Sequence, residues 1–123
     1  MRKFHFSHVE KSVKKKEILM NLAPEELKAR LNRGEKLVLL DIREPEECAI
    51  CQIDGSTWIP MRELPTRINE LNPKDPVVVY CHSGGRSAQV VRWLLNQGFR
   101  QAENLDGGID AWAELIDPTM ERY

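Results

Sequence analysis

Long apolar runs are missing from this 123-residue chain, and none approaches the roughly 20 residues that cross a bilayer as a helix. An excess of one charge is missing too. Eighteen Lys and Arg stand against nineteen Asp and Glu, a formal net charge of -1, which excludes a global attraction to nucleic acid or to an anionic membrane. Cysteine is scarce. Cys48, Cys51 and Cys81 are too few and too unevenly spaced for a disulfide framework. The N-terminus lacks the apolar core and small-residue cleavage site of a secretory signal. These absences lead to the expectation of a cytoplasmic protein with reduced thiols, one of which is available as a nucleophile. Internal repeats and low-complexity tracts are absent as well.

What is present fits one globular domain: 41% hydrophobic and 30% charged residues, in a length that buries a single core. Residues 1–17 are basic, with Lys14, Lys15 and Lys16 in a row and no sustained period. They read as a poorly ordered leader before a domain spanning 18–123. His5 and His8 belong to that leader and carry no expected metal role. The domain opens with a short edge strand at Ile18–Met20. A helix follows from Pro24, where proline costs no hydrogen bond, with Glu25 and Glu26 at its positive end. Leu27 and Leu31 share one face of it, and Gly34 stops it.

Leu37–Leu40, ending in Asp41, is a continuous apolar run of the kind buried on both faces of a sheet. Thr57–Ile59 is a shorter strand. Leu64, Ile68 and Leu71 have helical spacing around Pro65–Leu71. Val77 to Tyr80 is the clearest strand, unbroken and β-branched or aromatic. The loop CHSGGRS at 81–87 follows, then a helix from Ala88 to Gln97 capped by Gly98. A strand at Ala102–Leu105 and a helix running from Gly107–Gly108 through Ile109, Trp112 and Ile116 complete the chain. Strands alternating with helices imply an α/β fold, a mostly parallel sheet with helices on both faces. Ligand sites of such sheets lie beyond the carboxyl ends of the strands. The 81–87 loop occupies that position.

Cys81 ends a buried strand, Gly84 and Gly85 let the backbone curl, and a helix beginning near Arg86–Ser87 aims its free N–H groups back into the loop. A ring of amides around one sulfur forms an anion site. Amide dipoles, helix terminus and Arg86 all favour thiolate over thiol, so the pKa of Cys81 should fall. Four residues separate Cys81 from Arg86. Protein tyrosine phosphatases use a related loop with five. The shorter ring is tight for a phosphoryl group and has room for a second sulfur.

At these residues the chain resembles the rhodanese family, whose active loop commonly reads Cys-Arg-Ser-Gly-x-Arg-Ser. DIREPEE at 41–47, CQIDGSTWIP at 51–60 and NLDGGIDAW at 104–112 are similar to three further family signatures, in order, across residues 18–123. AICQIDGS and the ending AWAELIDPTMERY resemble the C-terminal rhodanese domain of molybdopterin-synthase sulfurylases. Both a stand-alone relative and an excised domain fit that likeness.

The resemblance implies a sulfurtransferase that takes sulfane sulfur from thiosulfate or a cysteine desulfurase and holds it as a persulfide on Cys81. It implies a cradle formed by His82, Ser83, Gly84, Gly85, Arg86 and Ser87, with Asp41 and Arg43 supporting the site. A ubiquitin-like sulfur carrier or an adenylating enzyme is the implied partner, and the chemistry requires neither metal nor organic cofactor. His82 departs from the family's arginine, Gln52 from a common histidine and Cys51 from glycine, and these changes bear on the donor. A non-catalytic binding module on the same fold is the alternative, followed by a cysteine phosphatase or arsenate reductase. Cys48 and Cys51 are expected to be structural thiols, with a resolving thiol for Cys81 as the second reading. Trp58, Trp93 and Trp112 are expected as core or edge aromatics, and Gly107–Gly108 as a tight turn or close packing.

Overall fold

The computed structural model describes residues 20–123; the leader, with His5 and His8, lies outside them. Five strands form one parallel sheet: β1 (Asn21–Leu22), β2 (Val38–Asp41), β3 (Thr57–Trp58), β4 (Val77–Tyr80) and β5 (Ala102–Leu105), in the order β1-β5-β4-β2-β3. The edge strand falls at Asn21–Leu22, just past the expected Ile18–Met20. Asn21 and Leu22 pair with Asn104 and Leu105, while residues 18 and 19 lie outside the described residues.

The apolar runs are explained by burial from two sides. Along β4, Val77 and Val79, followed by Cys81, join a cluster with Leu40, Ile59, Val90, Val91 and Leu94. The alternate residues Val78 and Tyr80 join a second cluster with Leu27, Leu39, Ile109 and Trp112. Successive side chains of a strand point to opposite faces, so a strand covered by helices on both must be apolar throughout. Helices α3 (Leu64–Arg67) and α4 (Gly85–Asn96) cover the first face; α1 (Pro24–Asn32) and α5 (Gly108–Leu115) cover the second.

Two boundaries move relative to the sequence reading. Helix α4 begins at Gly85 rather than Ala88, with Gly84 as its N-cap at φ 112°. Gly85, Arg86 and Ser87 are therefore its first turn. The segment expected as one helix over Pro65–Leu71 is broken into a 3-10 turn at Met61–Glu63, α3, and a second 3-10 turn at Ile68–Glu70. A further helix, α2 (Pro45–Ile50), has none of its residues buried and so left no apolar period to detect. It is started by Pro45 and by a reciprocal cap between Glu44 and Glu47.

Trp112 is buried, whereas Trp58 is exposed and donates its indole N–H to the Arg43 carbonyl at 2.9 Å. No helix among the described residues is long and apolar enough to cross a membrane. Leu40 lies at the centre of the sheet with no exposed surface. Truncating it in Leu40→Ala should cost about 2–5 kcal/mol, read from the urea midpoint at unchanged slope.

Candidate active site

The site is assembled where β4 ends between β2 and β5. Cys81 is 1% exposed. Its sulfur accepts the Gly84 amide at 3.2 Å and the Ser87 amide at 3.4 Å, and lies 3.3 Å from the Ser87 hydroxyl. The first turn of α4 supplies one of those amides and its N-cap residue the other, so the curl at Gly84 wraps the helix terminus around the sulfur. Burial opposes ionisation of Cys81. The Ser87 and Gly84 amides and the charge of Arg86 favour the thiolate, and the pKa lies below the ordinary thiol value.

A second helix orients the loop from outside. At the N-terminus of α5, the Ile109 amide donates to the Cys81 carbonyl at 2.9 Å and the Asp110 amide to the His82 carbonyl at 3.0 Å. In a trans peptide the N–H points opposite to the C=O. Anchoring those two carbonyls therefore turns the His82 and Ser83 amides away from α5. The approach is so close that a Cβ on Gly108 would lie 2.6 Å from the Cys81 carbonyl oxygen. Gly107 and Gly108 have φ of 74° and 62°, so this pair makes both the turn and the contact with the site. Among the described residues, the amides of Ser83, Gly85 and Arg86 donate to no backbone or side-chain acceptor.

Behind the sulfur, the Ser87 hydroxyl donates to Asn104 Oδ1 at 2.5 Å. Asn104 Nδ2 donates to Asn21 Oδ1 at 3.1 Å and to the Gly84 carbonyl at 3.3 Å. This buried amide ties β1, β5 and the loop together. Sequence reading passed over it, although a polar residue inside the otherwise buried strand β5 is a recognisable signal.

Arg86 does not reach across the loop. Its guanidinium forms a paired contact with Glu47 of α2, Nη1 to Oε1 at 2.7 Å and Nη2 to Oε2 at 2.8 Å. That contact holds the Glu47 carboxyl down at about 2, against the opposing effect of burial, with further help from the Tyr123 hydroxyl. Tyr123 donates to Glu47 Oε2 at 2.7 Å, accepts from Arg43 Nη1 at 3.0 Å, and stacks on His82 with ring centres 4.0 Å apart. Its own hydroxyl is pushed up to about 12, chiefly by burial. Glu47 stands within the DIREPEE motif yet was not singled out. Tyr123 carried no signal, because its role depends on where the tail packs.

Asp41 and Arg43 are 0% exposed and lie beside the loop, not against the sulfur. Arg43 meets both carboxylate oxygens, at 2.9 and 2.8 Å, and donates to the Cys51 and Glu47 carbonyls at 2.7 and 3.3 Å. Asp41 also accepts the Tyr80 hydroxyl at 2.9 Å. A buried pair with all its donors and acceptors engaged braces α2, and α2 carries Glu47 to Arg86. The Cys48 thiol, 3.6 Å from Asp41 Oδ2, is pushed up to about 11 by burial and that carboxylate, a poor setting for a thiolate. Cys51 is a half-buried free thiol. Ser83 is exposed at the tip of the loop.

A family model described as Rhodanese-like domain matches residues 23–115. Three curated relatives are similar. A protein named Sulfurtransferase from Allochromatium vinosum is 46% identical over 90 residues, 72% of this chain and 83% of its own length. The Rhodanese-like/PpiC domain-containing protein 12 of Arabidopsis thaliana is 32% identical over 123 residues, 94% of this chain but 41% of that protein. The probable adenylyltransferase/sulfurtransferase MoeZ of Mycobacterium tuberculosis is 38% identical over 104 residues, 83% of this chain and 26% of that protein. The chain thus spans less than half the length of two of these three. Among solved structures, a rhodanese-like domain protein from Staphylococcus aureus superposes with a TM-score of 0.73 at 32% identity, covering 84% of this chain and 97% of that one.

Two measurements check the geometry. Alkylation of wild-type Cys81 by iodoacetamide should inflect below the ordinary thiol value, and Arg86→Gln, which removes a charge favouring the thiolate, should shift the inflection upward and slow the neutral-pH rate by up to about tenfold. For Glu47, the folded value of about 2 lies below the ordinary 4.5. Its contribution is therefore complete above pH 4.5 and is lost as pH falls through about 2. The fall in stability between pH 4.5 and 2 should be larger in wild type than in Glu47→Gln by on the order of 2 kcal/mol, after allowing for solvent around the half-exposed Arg86.

Proposed function

Since the chain belongs to the rhodanese-like domain family, we propose that it is a sulfurtransferase carrying sulfane sulfur as a persulfide on Cys81. The observation that carries the reading is the set of amides around the sulfur. Two of them bond the sulfur and stabilise the thiolate, and three more of the same loop, at Ser83, Gly85 and Arg86, have no acceptor among the described residues and would serve a second sulfur. Oriented N–H dipoles in a water-poor site stabilise negative charge without having to reorganise.

The Cys81 thiolate attacks the outer sulfur of the donor. An S–S bond to Cys81 forms, the donor's own bond to that sulfur breaks, and the donor remnant departs with the electron pair. With thiosulfate the leaving group is sulfite; with a protein persulfide it is a thiol. Cys81–S–S⁻ remains, its terminal charge facing the free amides. An acceptor nucleophile then takes the outer sulfur and restores the thiolate. Asp41 and Arg43 act at one remove, by holding α2 and the loop in place.

The likeness to a protein named adenylyltransferase/sulfurtransferase supports a ubiquitin-like sulfur carrier, activated by an adenylating enzyme, as partner. Toward its acyl adenylate the outer sulfur of Cys81–S–S⁻ is the nucleophile and AMP the leaving group, and two thiol equivalents then reduce the acyl disulfide to a thiocarboxylate and the Cys81 thiolate. A reducing cytoplasm would keep Cys81 free of disulfide, as this chemistry requires.

Intact mass after incubation with a sulfane donor is the direct test. Wild type should gain one reducible sulfur atom and Cys81→Ser none. Sulfur uptake surviving in Cys81→Ser would overturn the assignment.

A further inference from the structure

We propose that the donor is an organic persulfide rather than thiosulfate, and that Glu47 sets this preference by occupying Arg86; the inference rests on the reading of Cys81 as the persulfide carrier. The segments flanking the carboxyl ends of β2 to β5, residues 41–63, 81–87 and 106–123, contain no lysine and only four arginines, against eleven aspartates and glutamates.

All four arginines are paired. Arg43 is held by Asp41, Arg86 by Glu47, Arg62 by Glu44 and Arg122 by Asp110 at 2.9 Å. His82, beside the nucleophile, offers the mouth no Nε2 donor. Its ring lies against Tyr123, and that nitrogen is buried without a partner. The cations of this mouth are therefore already engaged by carboxylates, in a setting whose net charge is negative.

The two donors place different demands on such a mouth. Thiosulfate brings two negative charges to a thiolate and releases sulfite, again a dianion, on the side away from the amides. Three negative charges then share a region with no unengaged cation among its arginines. A persulfide brings at most one, on its outer sulfur, and it is attacked in the protonated form R–S–SH. Attack by Cys81–S⁻ on the outer sulfur forms the Cys81–S bond and breaks the donor's S–S bond. The proton on the outer sulfur moves to the departing thiolate, giving Cys81–S–S⁻ and R–SH. In that step one negative charge is present throughout, against three with thiosulfate, and it ends at the Ser83, Gly85 and Arg86 amides. A negative mouth also lowers the local concentration of a dianion, and this effect is screened by salt.

The test measures Cys81 loading rates by intact mass with thiosulfate, with cysteine persulfide and with a persulfide-loaded cysteine desulfurase. For wild type, the thiosulfate rate should lie at least about a hundredfold below the persulfide rates and should rise with ionic strength, as for like charges. Glu47→Gln, which releases Arg86, should raise the thiosulfate-to-cysteine-persulfide ratio about tenfold. His82→Arg, which adds a cation without opening an ion pair, should move the ratio in the same direction and guards against a folding defect in Glu47→Gln. A thiosulfate rate that falls with salt, or a ratio unmoved in both variants, overturns the donor inference while leaving Cys81 as carrier. Loading by none of the three donors overturns the carrier reading, and this inference with it.

Discussion

The grip of α5 on the peptide groups of Cys81 and His82 is the constraint on which the site depends. Two amides at the start of that helix hold the two carbonyls, and Gly108 permits the contact because any Cβ would overlap the loop backbone. With the carbonyls turned outward, the following N–H groups face the other way. The loop then presents donors, not acceptors, to the sulfur. The left-handed Gly84 completes the curl and starts α4, so helix termini act on the loop from two directions. One takes up its carbonyls, and the other supplies its amides.

The buried polar cluster provides the rigidity this arrangement needs. Asp41 accepts from Arg43 and Tyr80, and Arg43 reaches the carbonyls of Cys51 and Glu47. Burying two charges is costly unless every donor and acceptor is engaged, and here the engagement extends from β2 to α2 and the tail. The same cluster that braces the wall delivers Glu47 to Arg86. Structural support and electrostatic character are consequently coupled. A mouth made rigid by arginine–carboxylate pairs has no unpaired arginine to offer a small anion, whereas the amides of Ser83, Gly85 and Arg86 remain without acceptors among the described residues.

Much of this was legible in the residues. The unbroken run Val77–Tyr80 implied a strand covered on both faces, because only such a strand has no polar side. The order of strands and helices implied a parallel sheet, and Cys81 followed by Gly84, Gly85 and Arg86 marked the loop. Helix α2 was not legible, since it buries no side chain and shows no period. The start of α4 was displaced because glycines and a polar turn read as loop, although they form the helix's first turn. Asn104 and Glu47 stood inside motifs that were noticed, but their partners, Ser87 and Arg86, are 17 and 39 residues away.

The sequence by itself determined the fold class, the candidate nucleophile and the local curl around it. Each of these follows from short-range patterning: apolar continuity, helix-start chemistry and the freedom of glycine. Only the tertiary structure decided the charge available at the mouth. Whether an arginine is free or engaged depends on which carboxylate the fold brings within 3 Å of it, and Glu47, Tyr123 and Asp110 meet their arginines through packing of α2, the tail and α5. Composition counts charges, but the field at a buried sulfur depends on their pairing and distance.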